Sequence, residues 1–300
     1  MEHMVAGDFA KRPANPKRCS FTARDGLILE AIHAYEGMLS DRQVMRLFFH
    51  PETGLRQAQK RLNCLWENGY IRRPKRHWGS VFRSTVYFLD EKGAAYVAGL
   101  RGERLAEFKW RREPRWSLIR HDLKLNDFRI SATKAIDLSP QIALEHPWVP
   151  SSGFWSNPDE VEYRNHNGRL TKRQVRPDGY FGISYAVGGR QLKFRFIVEV
   201  DRETEDNPRI ARDKILPGIA YLRSSAYKAR FGANVGKFLF VTTGRTRAQH
   251  MKEQAERAVG EDARFFYFTW FDQVKPETVF EPIWYRGGAD KQTSPIEVAG

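Results

Sequence analysis

The stretch SDRQVMRLFFHPETGLRQAQKRLNCLWENGYIRRPKRHWGSVFRSTVYFL, residues 40–89, decides the reading of this 300-residue chain. Pro51 and Gly54 separate two helical periods, and a basic strand–loop–strand pattern follows. From Leu55 to Trp66 the apolar residues Leu55, Ala58, Leu62, Leu65 and Trp66 recur at helical spacing, a stripe that faces a core. The other face then carries Arg56, Gln59, Lys60 and Asn63, side chains that reach phosphates and base edges in a major groove. From Leu55 to Arg83 there are eight Lys/Arg against one acid, Glu67.

Working outward, Thr22 with Asp25 and Ser40 with Gln43 have the spacing of capping boxes, so helices start at both places. The first is expected to bury Leu27, Ile28, Ile32 and Tyr35, and the second Val44, Leu47 and Phe48. The third runs from about Leu55 to Asn68, with Gly69 as its left-handed cap. Tyr70–Lys75 and Thr85–Leu89 form a hairpin with His77, Trp78 and Gly79 at its tip. Three helices and a two-stranded wing give the order of a winged helix-turn-helix, whose partner is double-stranded DNA. On this reading Arg56, Gln57, Gln59, Lys60 and Arg61 engage the major groove. Arg72, Arg73, Lys75, Arg76 and Arg83 contact phosphates or an adjacent minor groove, and Trp78 stacks on a sugar or base.

Charge supports a polyanionic partner. The net charge is +14, and residues 1–120 hold 23 Lys/Arg against 13 Asp/Glu, a net of +10 that leaves +4 for the rest. No apolar run is long enough to span a bilayer and no hydrophobic signal core opens the chain, which predicts a cytoplasmic protein. Cys19 and Cys64 are too few and too distant for a zinc finger or a disulfide framework, and Cys64 reads as a buried thiol. GANVGK at 232–237 lacks the spacing of a phosphate-binding loop, and no Ser/His/Asp triad assembles. Trp110, Trp116, Trp148 and Trp155 read as packing residues.

The expected division is a flexible N-terminus over 1–20, the DNA-binding domain over 21–100, a linker over 101–116, an α/β domain over 117–286 and a flexible tail over 287–300. The fold class is α+β. In the second domain a helix over 118–136 precedes strands near 143–149, 175–184 and 192–201, with 150–171 irregular. A helix over 208–228, kinked at Pro217-Gly218, leads to the strand KFLFVTT, a polar helix over 245–259 and the strand RFFYFTW. Asp178 follows Pro177 in the second strand, and Glu199-Val200-Asp201 ends the third. Alternation puts Glu199 and Asp201 on one face, and a neighbouring strand can bring Asp178 beside them. Clustered carboxylates of this kind bind Mg²⁺ or Mn²⁺.

This order resembles the PD-(D/E)xK nuclease superfamily, with a mixed central sheet. The resemblance implies Asp178 and Glu199 as metal ligands, with Asp201 and Lys214 completing the catalytic set. Asp201 stands where the superfamily has its lysine, and Lys214 on the next helix is the candidate replacement. Asp127 is a possible further carboxylate.

Taken together, LSDRQVMRLFF (39–49), AQKRLNCLWENGYI (58–71), RHDLKLNDFR (120–129), RPDGYF (176–181) and FIVEVDRETED (196–206), with Lys214 and Tyr221, resemble the replication-relaxation family of mobilisation protein C-type accessory proteins. The resemblance spans roughly residues 22–245. It implies DNA binding near an origin or transfer region, with a relaxase or replication protein as a partner. A metal-dependent endonuclease or nickase and a winged-helix transcriptional regulator are the alternatives. A homodimer on paired half-sites fits the motif, although no heptad seam marks one.

Overall fold

Two reciprocal caps begin the first unit, as the sequence spacing predicts. The chain, described from a computed structural model over residues 9–50, 53–75, 84–165, 167–201 and 210–297, divides into two compact units, Met1–Ile130 and Ser131–Gly300. Helix α1 (Ala23–Ala34) starts where the Thr22 N–H donates to the Asp25 carboxylate at 2.6 Å. Strand β1 (Met38–Ser40) runs into α2 (Asp41–Phe48), where the Ser40 N–H donates to Gln43 Oε1 at 3.0 Å and the Gln43 N–H donates to the Ser40 hydroxyl at 3.2 Å.

Helix α3 (Gly54–Glu67) ends on Gly69, whose φ of +83° favours glycine. The Gly69 N–H reaches the Trp66 carbonyl at 3.1 Å and the Tyr70 N–H reaches that of Leu65 at 3.0 Å, the two bonds of a Schellman cap. Strands β2 (Ile71–Arg72) and β3 (Val86–Leu89) follow, and the antiparallel sheet has the order β1-β3-β2. Asp90 caps α4 (Glu91–Leu100). Ile28, Leu29, Ile32, Leu39, Val44, Ala58, Leu62, Leu65 and Val97 form the core of this unit. Leu27 is 53% exposed and Leu29 is buried in its place. At about 100° per residue, Leu27 falls on the side of α1 away from Ile28, Leu29 and Ile32.

Three expectations about connecting segments are corrected. Residues 9–20 are held in place, because they satisfy carbonyls after β2 and at the end of α3: Ala10 N–H donates to the Arg73 carbonyl at 2.9 Å and Arg12 Nε to that of Trp66 at 2.8 Å. A disulfide joins Cys19 to Cys64 across a Cα separation of 6.2 Å, so neither thiol is free. Residues 101–116 are no linker, since Phe108 is buried and Arg111 bridges Glu36 at 3.2 Å and Asp122 at 3.1 Å. Both carboxylates are buried, and a buried carboxylate demands such a cation.

Helix α5 (Ile119–Leu138) contains the boundary between the units. In the second unit, β4 (Ile142–Pro150), β7 (Gly179–Val187) and β8 (Arg190–Val200) pair antiparallel. β8 then runs parallel to β9 (Lys237–Thr242), and β9 parallel to β10 (Phe266–Trp270). β11 (Trp284–Arg286) and β12 (Gln292–Thr293) complete a mixed seven-stranded sheet of order β12-β11-β10-β9-β8-β7-β4. One face carries Tyr180, Ile197, Phe238, Phe240, Phe266 and Phe268 in a common core with Ile219 of α7 (Leu216–Leu222), Phe231 of α8 (Ser225–Phe231) and Met251 of α9 (Arg245–Val259). The expected break at Pro217 is realised as a π-turn over Ala211–Ile215 that feeds α7.

Residues 150–171 are not irregular. They hold α6 (Ser151–Ser156) and β5 (Asp159–Arg164), which pairs with β6 (Leu170–Val175) in a separate hairpin. The buried Val161 and Tyr163 do alternate with the charged residues Glu160, Glu162 and Arg164, but the Asn, Gly and charge content of the segment outweighs that signal. The tail from Gly287 also packs, through β12 and the buried Ile296.

The disulfide closes a 45-residue separation. Its reduction should lower unfolding stability by about 4 kcal/mol. Denaturant unfolding with and without reductant checks this, and identical midpoints would contradict the pairing.

Candidate nucleic-acid interface and carboxylate cluster

Asp25 is fully buried, and that burial sets how α3 is presented. Its carboxylate takes the Thr22 N–H, the Thr22 hydroxyl at 2.8 Å and two hydrogen bonds from Arg61. Burial pushes the Asp25 carboxyl up, but the bonds from Arg61 and Thr22 outweigh it and hold it below the ordinary carboxylate range. The same hydrogen bond raises the Arg61 guanidinium against the opposing effect of burial. Arg61 also donates to the Ser20 carbonyl at 2.5 Å, so this side chain is turned inward.

The other basic positions separate into two groups. Arg56, Gln57 and Lys60 are exposed on α3, and Lys75 is exposed after β2. Gln59 is exposed but donates its amide to Asp41 at 2.7 Å. Arg73 donates to Asn63 at 2.8 Å and lies 3.7 Å from the centroid of the Trp66 ring. Arg72 lies over the Phe9 ring at 4.2 Å and 3.7 Å from Glu113, and burial lowers its pKa. Arg76, Trp78 and Arg83 lie outside the described residues.

The HDLKLNDF segment serves the first unit. Asp122 pairs with Arg115 at 2.7 Å, and Asn126 donates to the carbonyls of Tyr35 at 3.1 Å and Met38 at 2.9 Å. Asp127 accepts from Gln43 at 3.0 Å and from Arg46 at 3.1 Å.

In the second unit Asp178 sits beside the end of β8, the strand that carries Glu199. The ladder of β7 and β8 ends with Gly179 opposite Val198, and just beyond it the Asp178 N–H donates to the Val198 carbonyl at 3.2 Å. The Val200 N–H donates to Asp178 Oδ2 at 2.8 Å, which holds the Asp178 carboxylate at the end of β8. Glu199 is buried, and Lys214 of the π-turn reaches its Oε2 at 2.6 Å. Asp201 has another engagement: Thr242 donates to it at 2.7 Å and Arg247 of α9 grips both of its oxygens.

The Glu199–Lys214 ion pair and the Asp178 carboxylate thus both lie at the end of β8. Mg²⁺ needs only one or two carboxylates when water and phosphate oxygens supply the other positions, and Asp178 with Glu199 fits that demand. No group of three or more His, Cys, Asp or Glu gathers as a metal cage among the described residues. Residues 202–209, which hold Glu203, Glu205 and Asp206, lie outside the description. Sequence reasoning missed Arg247, 46 positions from Asp201, where no spacing rule connects a strand end to the helix after the next strand. Trp155, expected in packing, is 54% exposed.

Among the described residues no helix is long and apolar enough to cross a membrane. A family model described as replication-relaxation matches residues 29–230, more than half of the chain, including α3, Asp178, Glu199 and Lys214. Comparison with curated proteins and with solved structures finds no match.

Replacing Asp25 with alanine should cost about 3 kcal/mol, because it strands Arg61 beside its buried site. A carboxylate with a depressed folded pKa stabilises fully above the ordinary range near 3.8 and loses its contribution as pH falls through the lower folded value. Asp25→Asn should therefore flatten the acid limb of unfolding midpoint against pH. An unchanged acid limb would contradict the assignment.

Proposed function

The chain belongs to the replication-relaxation family, and we propose that it is a DNA-binding accessory protein of plasmid or phage replication or conjugative mobilisation. Its first unit acts as a winged helix on duplex DNA. The observation that carries this reading is the exposed edge of α3, where Arg56, Gln57 and Lys60 stand outward while Arg61 is withdrawn onto Asp25. The order of three helices and a β2–β3 hairpin supports it, since that order presents the third helix to a major groove. Lys75 follows β2 on the hairpin, where phosphate contact fixes register without reading sequence. Arg61, Arg72 and Arg73 act on the protein side of the interface, holding α3 and β2 in place. A relaxase or replication protein is the partner this role calls for, and a homodimer on paired half-sites is its simplest assembly.

A second reading rests on a separate observation. Lys214 on Glu199, with Asp178 bonded to the Val200 N–H, supplies an acid, an acid and an ammonium at one strand end, the groups of a PD-(D/E)xK nuclease. In that reading Asp178 and Glu199 hold Mg²⁺ or Mn²⁺, which lowers the pKa of bound water and neutralises charge on a phosphodiester. Lys214 holds a positive charge against Glu199, and Asp201 orients the strand end through Arg247.

Footprinting on the replicon that carries this chain separates the readings. Protection at the replication origin or transfer region, with DNA left intact, is the expected result; protection confined to promoters would show a transcriptional regulator. Mg²⁺- or Mn²⁺-dependent nicking that disappears in Asp178→Ala would establish the nuclease.

A further inference from the structure

The hairpin of β5 and β6 carries a surface that duplex recognition by α3 does not use. Val161 and Tyr163 bury one face of it, and Arg173 on that face pairs with Asp213 at 2.7 Å. The outer face of β6 presents Leu170, Lys172 and Gln174, all exposed, at successive alternate positions about 6.6 Å apart. Arg176 continues the row, with its guanidinium 4.3 Å from the centroid of the exposed Trp155 ring. Its Nε is buried without a hydrogen-bond partner among the described residues, while another of its nitrogens donates to Gln174. Arg164 and Arg169 stand exposed at the turn. From Arg164 to Arg176 the sequence has five Lys/Arg and no acid.

We propose that this row, from Trp155 along the outer face of β6 to Arg169, is a track for single-stranded DNA. Arg169 and Lys172 can meet a phosphate backbone, and an exposed indole backed by a guanidinium is a stacking platform for an unpaired base. A duplex keeps its base faces covered, so the aromatic end selects an opened strand. Glu160 and Glu162 on the outer face of β5 border the track on one side, opposite Gln174 and Lys172. Lys172 lies 3.9 Å from Glu160. These carboxylates repel phosphates and confine the strand to the β6 side. β6 leads through Arg176 and Pro177 to Asp178, so a strand on the track runs toward that carboxylate. The inference rests on the nucleic-acid reading above and adds a strand-specific surface to it.

The test uses the full chain with a fluorescent oligo(dT) of about 12 nucleotides and, separately, a duplex bearing its footprinted site. Trp155→Ala should weaken oligo(dT) binding about tenfold with duplex affinity unchanged, while Trp155→Phe keeps it. Arg169→Ala and Lys172→Ala should each lower the salt slope for oligo(dT) by about 0.7. Glu160→Gln with Glu162→Gln should tighten oligo(dT) binding, an outcome that misfolding does not produce. Duplex binding without oligo(dT) binding, or equal weakening of both by the β6 variants, would overturn the track alone. Failure to bind either nucleic acid would overturn the DNA-binding reading itself.

Discussion

A carboxylate with no solvent exposure requires a cation, and Asp25 obtains one from α3. That requirement bears on the orientation of α3. Arg61 is drawn to Asp25 and the Ser20 carbonyl, so the rotation of α3 about its axis is fixed by charge as well as by Ala58, Leu62 and Leu65 in the core. The disulfide from Cys19 to Cys64 and the Arg12 bond to the Trp66 carbonyl fasten the incoming chain along the same helix. What remains outward is the short set Arg56, Gln57 and Lys60. The basic stretch is thus divided: some cations hold the helix, and others stand exposed.

The second unit shows the same economy in its acids. Asp201 occupies the position at which a nuclease-like strand would carry its lysine, yet it is gripped by Arg247 and Thr242 and stabilises the end of the sheet. Glu199 instead receives its cation from Lys214, fifteen residues on, beyond the strand. Asp178 is held at the same strand end by the Val200 N–H. The carboxylates are therefore placed by the sheet, while the cation on Glu199 comes from the π-turn ahead of α7.

Much of this was legible in the chain. The caps at Thr22 and Ser40, the left-handed Gly69 and the strands KFLFVTT and RFFYFTW follow from local rules, in which spacing alone determines the geometry. The failures lay where distant partners supply the reason. Arg111 and Arg115 read as linker charge because nothing near them in sequence reveals the buried Glu36 and Asp122. Residues 9–20 read as loose because their anchors, Trp66 and Arg73, lie more than fifty positions away. The β5–β6 hairpin was obscured because the Asn, Gly and charge content around its turn outweighed the alternation of Val161 and Tyr163, and Trp155 was assigned to packing on residue type alone.

The claim on which the account turns is that duplex DNA is held by the outward face of α3. Equilibrium binding to the footprinted duplex, measured against salt for the natural chain and for an Arg56→Ala, Lys60→Ala chain, addresses it most directly. Loss of two phosphate-neutralising charges should weaken affinity and lower the slope of log affinity against log salt by about 2. An unchanged affinity and slope would place the DNA elsewhere on the protein and contradict the account.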